Sequence, residues 1–401
     1  MLFRCCYFFA FLFFSIHTMA SEAPSAAEAF EACKPSLVQR AVESGLAQTE
    51  MKAVIDALQY QARVIELDRR QPEFVQTFPD YFSKRVNAWR INKGREHYAK
   101  HKEFLQKLNN QYGIPPHYLL AFWGLETNYG GYKGKMPVLD SLATLACDPR
   151  RTQYFTQELV VALGLMVRES LSPSDMLGSW AGAMGHTQFM PSAYQNYAID
   201  GDGDGTINLW QSEQDALASA ANFLSQLGWK PGFRWGREVQ LANGFDYALI
   251  GRSNKRSVSE WAKLGVSKAD GSSLGQADIK GYLVVPSGHT GPKFLVYDNF
   301  RTIMRWNNSE FYAIAVGHLA DKIAGAVDLV TPLPELPTYS LASIKKLQTF
   351  LNENGIDVGR PDGILGPMTR EGIRTAQRRN SMTADGFPSK ELMDMAGVST
   401  N

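Results

Sequence analysis

Cysteine is scarce in this sequence, like charge is nowhere concentrated, and no apolar run is long enough to span a bilayer. Lysine and arginine number 41 against 40 aspartates and glutamates, with no basic block, so nucleic acid is a poor partner. The longest apolar run, Cys5 to Ile16, falls well short of the about 20 residues that a spanning helix needs. There is no nucleophile elbow, no HExxH motif, no internal repeat and no low-complexity tract. Hydrolases built on those motifs are excluded, as are solenoids.

What the N-terminus does carry is an export pattern. Arg4 precedes the apolar run, and the small residues Ala20 and Ser21 follow it, which reads as a secretory signal over residues 1–20 with no membrane anchor left after cleavage. Cys5 and Cys6 sit at the front of the run rather than behind it, which argues against lipoprotein processing. Removal of Arg4 leaves a mature chain with 40 charges of each sign. Export to the periplasm is the expectation. Of the four cysteines only Cys33 and Cys147 then remain; in an oxidising compartment they could pair, or they could stay as two buried thiols.

The 401 residues, 44% of them apolar, suffice for two or three cores without help from metals or staples. Residues 27–112 repeat apolar positions at three and four, and read as helical scaffold broken at Gln71-Pro72 and Phe78-Pro79. Pro115-Pro116 opens a strong helix, closed by Gly130-Gly131. Further helices are expected over 154–168, 215–227 and 310–323, with short strands between Trp235 and Tyr297, including VQLANGFDYALI and IKGYLVVPS. Three prolines within residues 331–338 mark an extended linker. Beyond it lie three short helical patterns, at 341–354, 367–379 and 389–395. The organisation is therefore a signal over 1–20, a main region over 21–330, the linker over 331–338 and a small domain over 339–401.

Glu126 is the carboxylate that stands out. It ends an apolar helix bearing Leu119, Leu120, Phe122, Trp123 and Leu125, where burial and the negative end of the helix both favour its neutral form. A protonated acid near neutral pH is what general-acid cleavage of a glycosidic bond requires. Read alone, Glu126 could equally reach solvent or pair with an arginine. The stretch from Ser179 to Tyr197, SWAGAMGHTQFMPSAYQNY, leaves bare backbone at Ala181, Gly182, Ala183 and Gly185, open to a ligand or to tight packing. Asp200, Asp202, Asp204 and Thr206 follow a calcium-loop spacing, but Gln211 stands where the closing acid belongs, so Glu213 or Asp215 would have to substitute. His97 and His101 are four apart, yet their surroundings, REHYAKHK, read as a solvated face without a third ligand.

Together GLETNYG, SWAGAMGHTQFMPSAY and DGDGDGTINLW, in that order, resemble the lytic murein transglycosylase B family, glycoside-hydrolase family 103, over about residues 30–327. The segment from Tyr339 to Ala396, with IKKLQTFLNENG, DGILGPMTREGIRTAQ and DGFPS, resembles the type 1 peptidoglycan-binding domain. The resemblance implies a mainly α fold: a lysozyme-like helical core with extra helical and small mixed α/β subdomains, then a C-terminal three-helix domain. It implies cleavage of the MurNAc to GlcNAc bond of peptidoglycan strands without water, leaving 1,6-anhydro ends. Glu126 falls on the family's catalytic glutamate. Ser179, Gln188, Asn307 and Tyr312 fall on polar cleft residues, and Phe223 and Trp306 on aromatics that can face sugar rings. Calcium held by Asp200, Asp202, Asp204, Thr206 and Asp215 would be structural, with no cofactor for catalysis; wall-remodelling proteins are conceivable partners. A hydrolytic muramidase and a catalytically silent wall-binding scaffold remain as alternatives.

Overall fold

A computed structural model describes residues 24–70 and 76–398. The expected export signal, with Cys5 and Cys6, and the Gln71-Pro72 break lie outside the described residues. Among those described, no helix is long and apolar enough to cross a membrane.

The first half is helical: α1 (Ala26–Glu43), α2 (Gln48–Ala57), α3 (Ala62–Arg70), α4 (Phe78–Arg85), α5 (Ala88–Lys100), α6 (Lys102–Tyr112) and α7 (Pro116–Thr127). Short β1 (Met136–Pro137) leads to α8 (Val138–Ala146) and α9 (Thr152–Arg168); β2 (Leu177–Gly178) pairs back on β1, and α10 (Pro191–Tyr197) and α11 (Glu213–Gln226) follow. Then come β3 (Gly236–Leu241), β4 (Arg256–Ser257), α12 (Val258–Lys263), β5 (Val266–Lys268), β6 (Lys280–Val284) and β7 (Lys293–Val296). Two helices, α13 (Asp298–Trp306) and α14 (Glu310–Ile323), return to the core, and α15 (Leu341–Glu353), α16 (Pro367–Arg379) and α17 (Lys390–Met395) form the C-terminal unit.

Helix α7 is the hub. Pro115 caps it and Pro116 fills its first turn, where a missing N–H costs nothing. Tyr118 through Trp123 are all buried, so the helix is enclosed on every side rather than along one stripe. It packs against α5, α11 and α14. A second core joins α1, α2, α8, α9 and α10 around Phe30, Leu142, Phe155, Leu163 and Tyr194.

The sheet β4-β6-β7-β3-β5 is antiparallel throughout. Its side chains alternate with the pleat: Tyr282, Val284, Phe294 and Val296 enter the α7 core, while Val239, Leu283 and Leu295 face Trp261 of α12. The expected strands at VQL and KGYLV are present, but Tyr247–Leu249 is a single 3-10 turn capped by Asp246, because an Asp side chain offers its own acceptor to the backbone.

Cys33 of α1 and Cys147 at the end of α8 are bonded, with Cα atoms 6.0 Å apart. The pairing reading is the one realised, and the alternative of two free thiols is not.

The C-terminal helices enclose their own core of Leu347, Leu351, Ile373, Leu392 and Met393. One device occurs there twice. Gln348 of α15 takes the Gly363 amide on Oε1 and donates to Asp362, and Gln377 of α16 does the same with Gly386 and Asp385. The linker has no regular structure; its start is held by Glu238, whose carboxylate accepts from the Val330 and Thr331 amides at 2.8 Å each. Asp385 also accepts from the backbone N–H of His289 at 2.8 Å, joining the small unit to the sheet region.

Candidate active site

Glu126 sits in the last turn of α7, partly buried. Its Oε1 accepts from the indole N–H of Trp306 at 2.9 Å and from the hydroxyl of Tyr312 at 2.5 Å. These donors arrive from the end of α13 and the start of α14, 180 and 186 residues along the chain. Burial pushes the Glu126 carboxyl up to about 7, against the two hydrogen bonds, which favour the carboxylate. Since both donors use Oε1, the proton of the neutral acid belongs on Oε2.

The helix end itself is compensated. The Arg90 guanidinium, buried under α7, donates from Nε to the Gly124 carbonyl at 2.9 Å and from the other nitrogens to the Lys84, Arg85 and Asn128 oxygens. The negative end of the helix is thus met by a cation, so of the two effects expected to raise Glu126, burial is the one that acts. Arg90 escaped the sequence reading because WRINKGREHY gives a buried arginine no distinguishing mark.

Past Glu126 the chain turns sharply. Asn128 and Tyr129 both take the left-handed conformation, φ 52° and 58°, as does Gln188 with φ 51°. Three non-glycine residues in this region cost on the order of 1–3 kcal/mol each. Surrounding contacts hold them: the Tyr129 hydroxyl donates to the Arg90 carbonyl at 2.7 Å, and Thr127 Oγ1 donates to the His186 carbonyl at 2.9 Å. Trp123 adds an indole bond to His186 Nδ1 at 2.9 Å.

The bare backbone expected from Ala181 to Gly185 serves packing of loop on loop. A Cβ on Gly178 would lie 2.2 Å from the Ala183 carbonyl oxygen, and one on Gly185 would lie 2.5 Å from that of Leu209. Ser179 and Gln188 brace this loop: Ser179 Oγ accepts from the Ala181 and Ala183 amides, and Gln188 Nε2 donates to the Lys133 and Gly185 carbonyls. Their polar atoms are therefore largely spent on the backbone.

Trp306 lies among Phe122, Phe189 and Phe223, ring centroids 4.6, 5.4 and 5.1 Å away, and Phe223 also stacks near Tyr197 at 4.6 Å. Trp306 and Phe223 are partly exposed and Asn307 is exposed. The small cavity beside Glu126 is lined by Phe122, Trp123, Thr187, Ala216, Ala220 and Trp306, with Leu119 and Leu217. No second carboxylate lines it among the described residues.

A model of the transglycosylase SLT domain matches residues 29–321, and a model of a putative peptidoglycan-binding domain matches 340–395. The chain belongs to the SLT transglycosylase family. Its resemblance to lytic murein transglycosylases is thereby borne out, and the fold is the mainly helical, lysozyme-like one that the resemblance implied. Membrane-bound lytic murein transglycosylase B of Escherichia coli K12 is 36% identical over 246 residues, 61% of this chain and 66%, just under two thirds, of that relative. SltB3 of Pseudomonas aeruginosa, solved with NAG-anhNAM-pentapeptide, is 38% identical, covers 92% of this chain and 99% of its own, and superposes with a TM-score of 0.88. Slt35 of Escherichia coli, solved with calcium, is 31% identical over 73% of this chain and 92% of its own, with a TM-score of 0.64.

The loop between α10 and α11 brings Asp200, Asp202 and Asp204 together. Asp200 also accepts from the Gly203 and Gly205 amides, and Asp204 from the amide and hydroxyl of Thr206. Asp215, expected as the closing ligand, is instead buried under the loop, with its two oxygens accepting from the Gly201 and Asn208 amides at 2.8 and 2.7 Å. A short loop leaves those N–H groups without other partners, and the carboxylate satisfies them. Glu213, the other substitute considered, points away to Lys100 and His101.

Proposed function

We propose that this chain is an exported lytic transglycosylase in which Glu126 acts as acid and then as base on peptidoglycan strands. The observation that carries the reading is a single carboxyl raised to about 7 in an apolar cavity, with Oε1 held by Trp306 and Tyr312. Neutral Glu126 donates the Oε2 proton to the departing glycosidic oxygen while the muramoyl acetamido oxygen bonds to C1, so C1 never needs an enzymic nucleophile. The carboxylate then takes the proton of the muramoyl 6-hydroxyl, whose oxygen bonds to C1 as the acetamido oxygen leaves. No water is consumed.

Phe223, Trp306 and Asn307 form the sugar-facing side, the aromatic planes suiting the C–H faces of the rings, with Tyr312 buried behind Glu126, while Ser179 and Gln188 hold their loop in shape. The three clustered aspartates suit a hard cation such as calcium, with Asp215 bracing the loop from behind. Such an ion would fix the entry to α11, whose Ala216 and Ala220 line the cavity. The C-terminal unit raises the effective concentration of the site at the wall by tethering. The match to the transglycosylase SLT domain over residues 29–321 favours this chemistry over hydrolysis.

Mass spectrometry of purified peptidoglycan treated with the mature protein decides between the two. Anhydro-muramoyl ends, lighter by one water than hydrolysis products, are expected; reducing ends would make it a muramidase.

The Tyr312 hydroxyl stabilises the charged form of Glu126, so its loss should raise the Glu126 pKa further. A hydrogen bond to a charged group is worth about 1.5–3 kcal/mol, which is about one to two pKa units. In Tyr312→Phe the alkaline limb of kcat/KM, which falls as Glu126 loses its proton, should move to higher pH by that order. A limb that stays put or moves down in a pH–rate profile on soluble glycan fragments would refute the role given to Tyr312.

A further inference from the structure

We propose that His97, His101 and Glu213 form a second metal site, for a borderline divalent transition ion of the Zn2+ class, distinct from the acidic loop. The histidines lie one helical turn apart on α5, His101 at its end, and their rings are parallel within 7° with centroids 6.0 Å apart. Residues four apart share one helix face. Glu213, the first residue of α11, is brought beside them from more than a hundred residues away, so that one ring nitrogen of each histidine and a carboxylate oxygen all lie within 4.8 Å of one another. His101 Nε2 is 2.8 Å from Glu213 Oε2.

The state of the side chains suits ligation. His97 makes no side-chain hydrogen bond among the described residues, and its Nδ1 is buried without a partner. Its ring is held in place by Trp123 and Tyr129, with centroids at 4.5 and 5.1 Å. Two imidazoles and one carboxylate, with a fourth position open to water, match the donor preference of Zn2+; an all-oxygen set would suit calcium or magnesium.

The Lys100 ammonium now lies 2.6 Å from Glu213 Oε2 and is the cation that the ion would displace. Lys100 is more than half exposed, so its flexible stem can swing to solvent. An ion here would tie α5 to α11 across Trp123, one turn before Glu126. Its role is that of a brace, and it takes no part in bond cleavage.

The test uses the mature, calcium-saturated protein, so that the aspartate loop is filled, titrated with Zn2+ by calorimetry in competition with a chelator. One equivalent should bind, and the metal-free melting temperature should rise with added Zn2+. Loss of an outer-shell partner alone typically costs about 10–100-fold in affinity, so Glu213→Gln and His101→Asn, which remove ligands, should each weaken binding on the order of 100-fold. Lys100→Gln should tighten it. Circular dichroism without metal checks the fold, and if His101→Asn does not fold, Glu213→Gln decides alone. No Zn2+ uptake, or one equivalent that survives the ligand substitutions, would overturn the site.

Discussion

Glu126→Gln should bind glycan strands as the parent does and turn them over on the order of 10³- to 10⁴-fold more slowly. The amide keeps the shape of the carboxyl and still accepts from Trp306 and Tyr312 at the oxygen where both donate. It has no acidic proton to give, and general acid–base catalysis by one group is worth typically about 10²- to 10⁴-fold. The upper part of that range applies because the same group is asked to serve in both steps. Release of anhydro-muramoyl products measured beside binding of the same strands separates the two effects. Turnover within tenfold of the parent would remove Glu126 from the chemistry, and loss of binding with loss of turnover would mean that the cleft itself had changed.

The second large effect is on stability. Cys33 and Cys147 close a loop of 114 residues, and chain-entropy arguments give about 4.7 kcal/mol for a loop of 100 residues. Replacing both with serine should therefore lower the unfolding free energy of the catalytic region by roughly 4–5 kcal/mol, a large fraction of the about 5–15 kcal/mol that holds a typical domain together. The bond clamps α1 to the end of α8 against the second core, whereas the residues around Glu126 belong to the α7 core, so the double variant should keep its turnover while folded. Denaturant unfolding of the oxidised, reduced and double-serine proteins is the measurement. Equal midpoints for oxidised and reduced protein would show that the packing of Phe30 and Leu142 holds those helices without the bond.

The ionisation of Glu126 ties these results to pH. Its pKa near 7 places the loss of the acid form within the neutral range, and the proton leaves as pH rises. Both Trp306 and Tyr312 oppose that elevation. They orient the carboxyl at some expense to its acidity range, and burial more than compensates.

Local pattern was enough for much of this protein. The apolar run of α7, opened by two prolines, fixed the helix that carries Glu126, because a segment with no polar face has only the interior to occupy. The period-three and period-four spacing gave α9, α11 and α14, and the alternation in VQL and KGYLV gave two strands of the sheet, since both periodicities are properties of a few adjacent residues. Motif order was likewise legible, and with it the family and the C-terminal unit.

Contacts between distant segments were decided only by the tertiary structure. Nothing near Arg90 in the chain signals that it caps α7, nothing near Trp306 signals that its indole N–H reaches Glu126, and the spacing of His97 and His101 looked like a solvated face until Glu213 arrived beside it. The closing position of the acidic loop could not be read either, because whether Asp215 meets an ion or two backbone amides depends on how α11 docks beneath the loop. Periodicity reports which face of a segment is buried; which group meets that face is set by packing that sums weak contacts over the whole core, and no short stretch of sequence contains it.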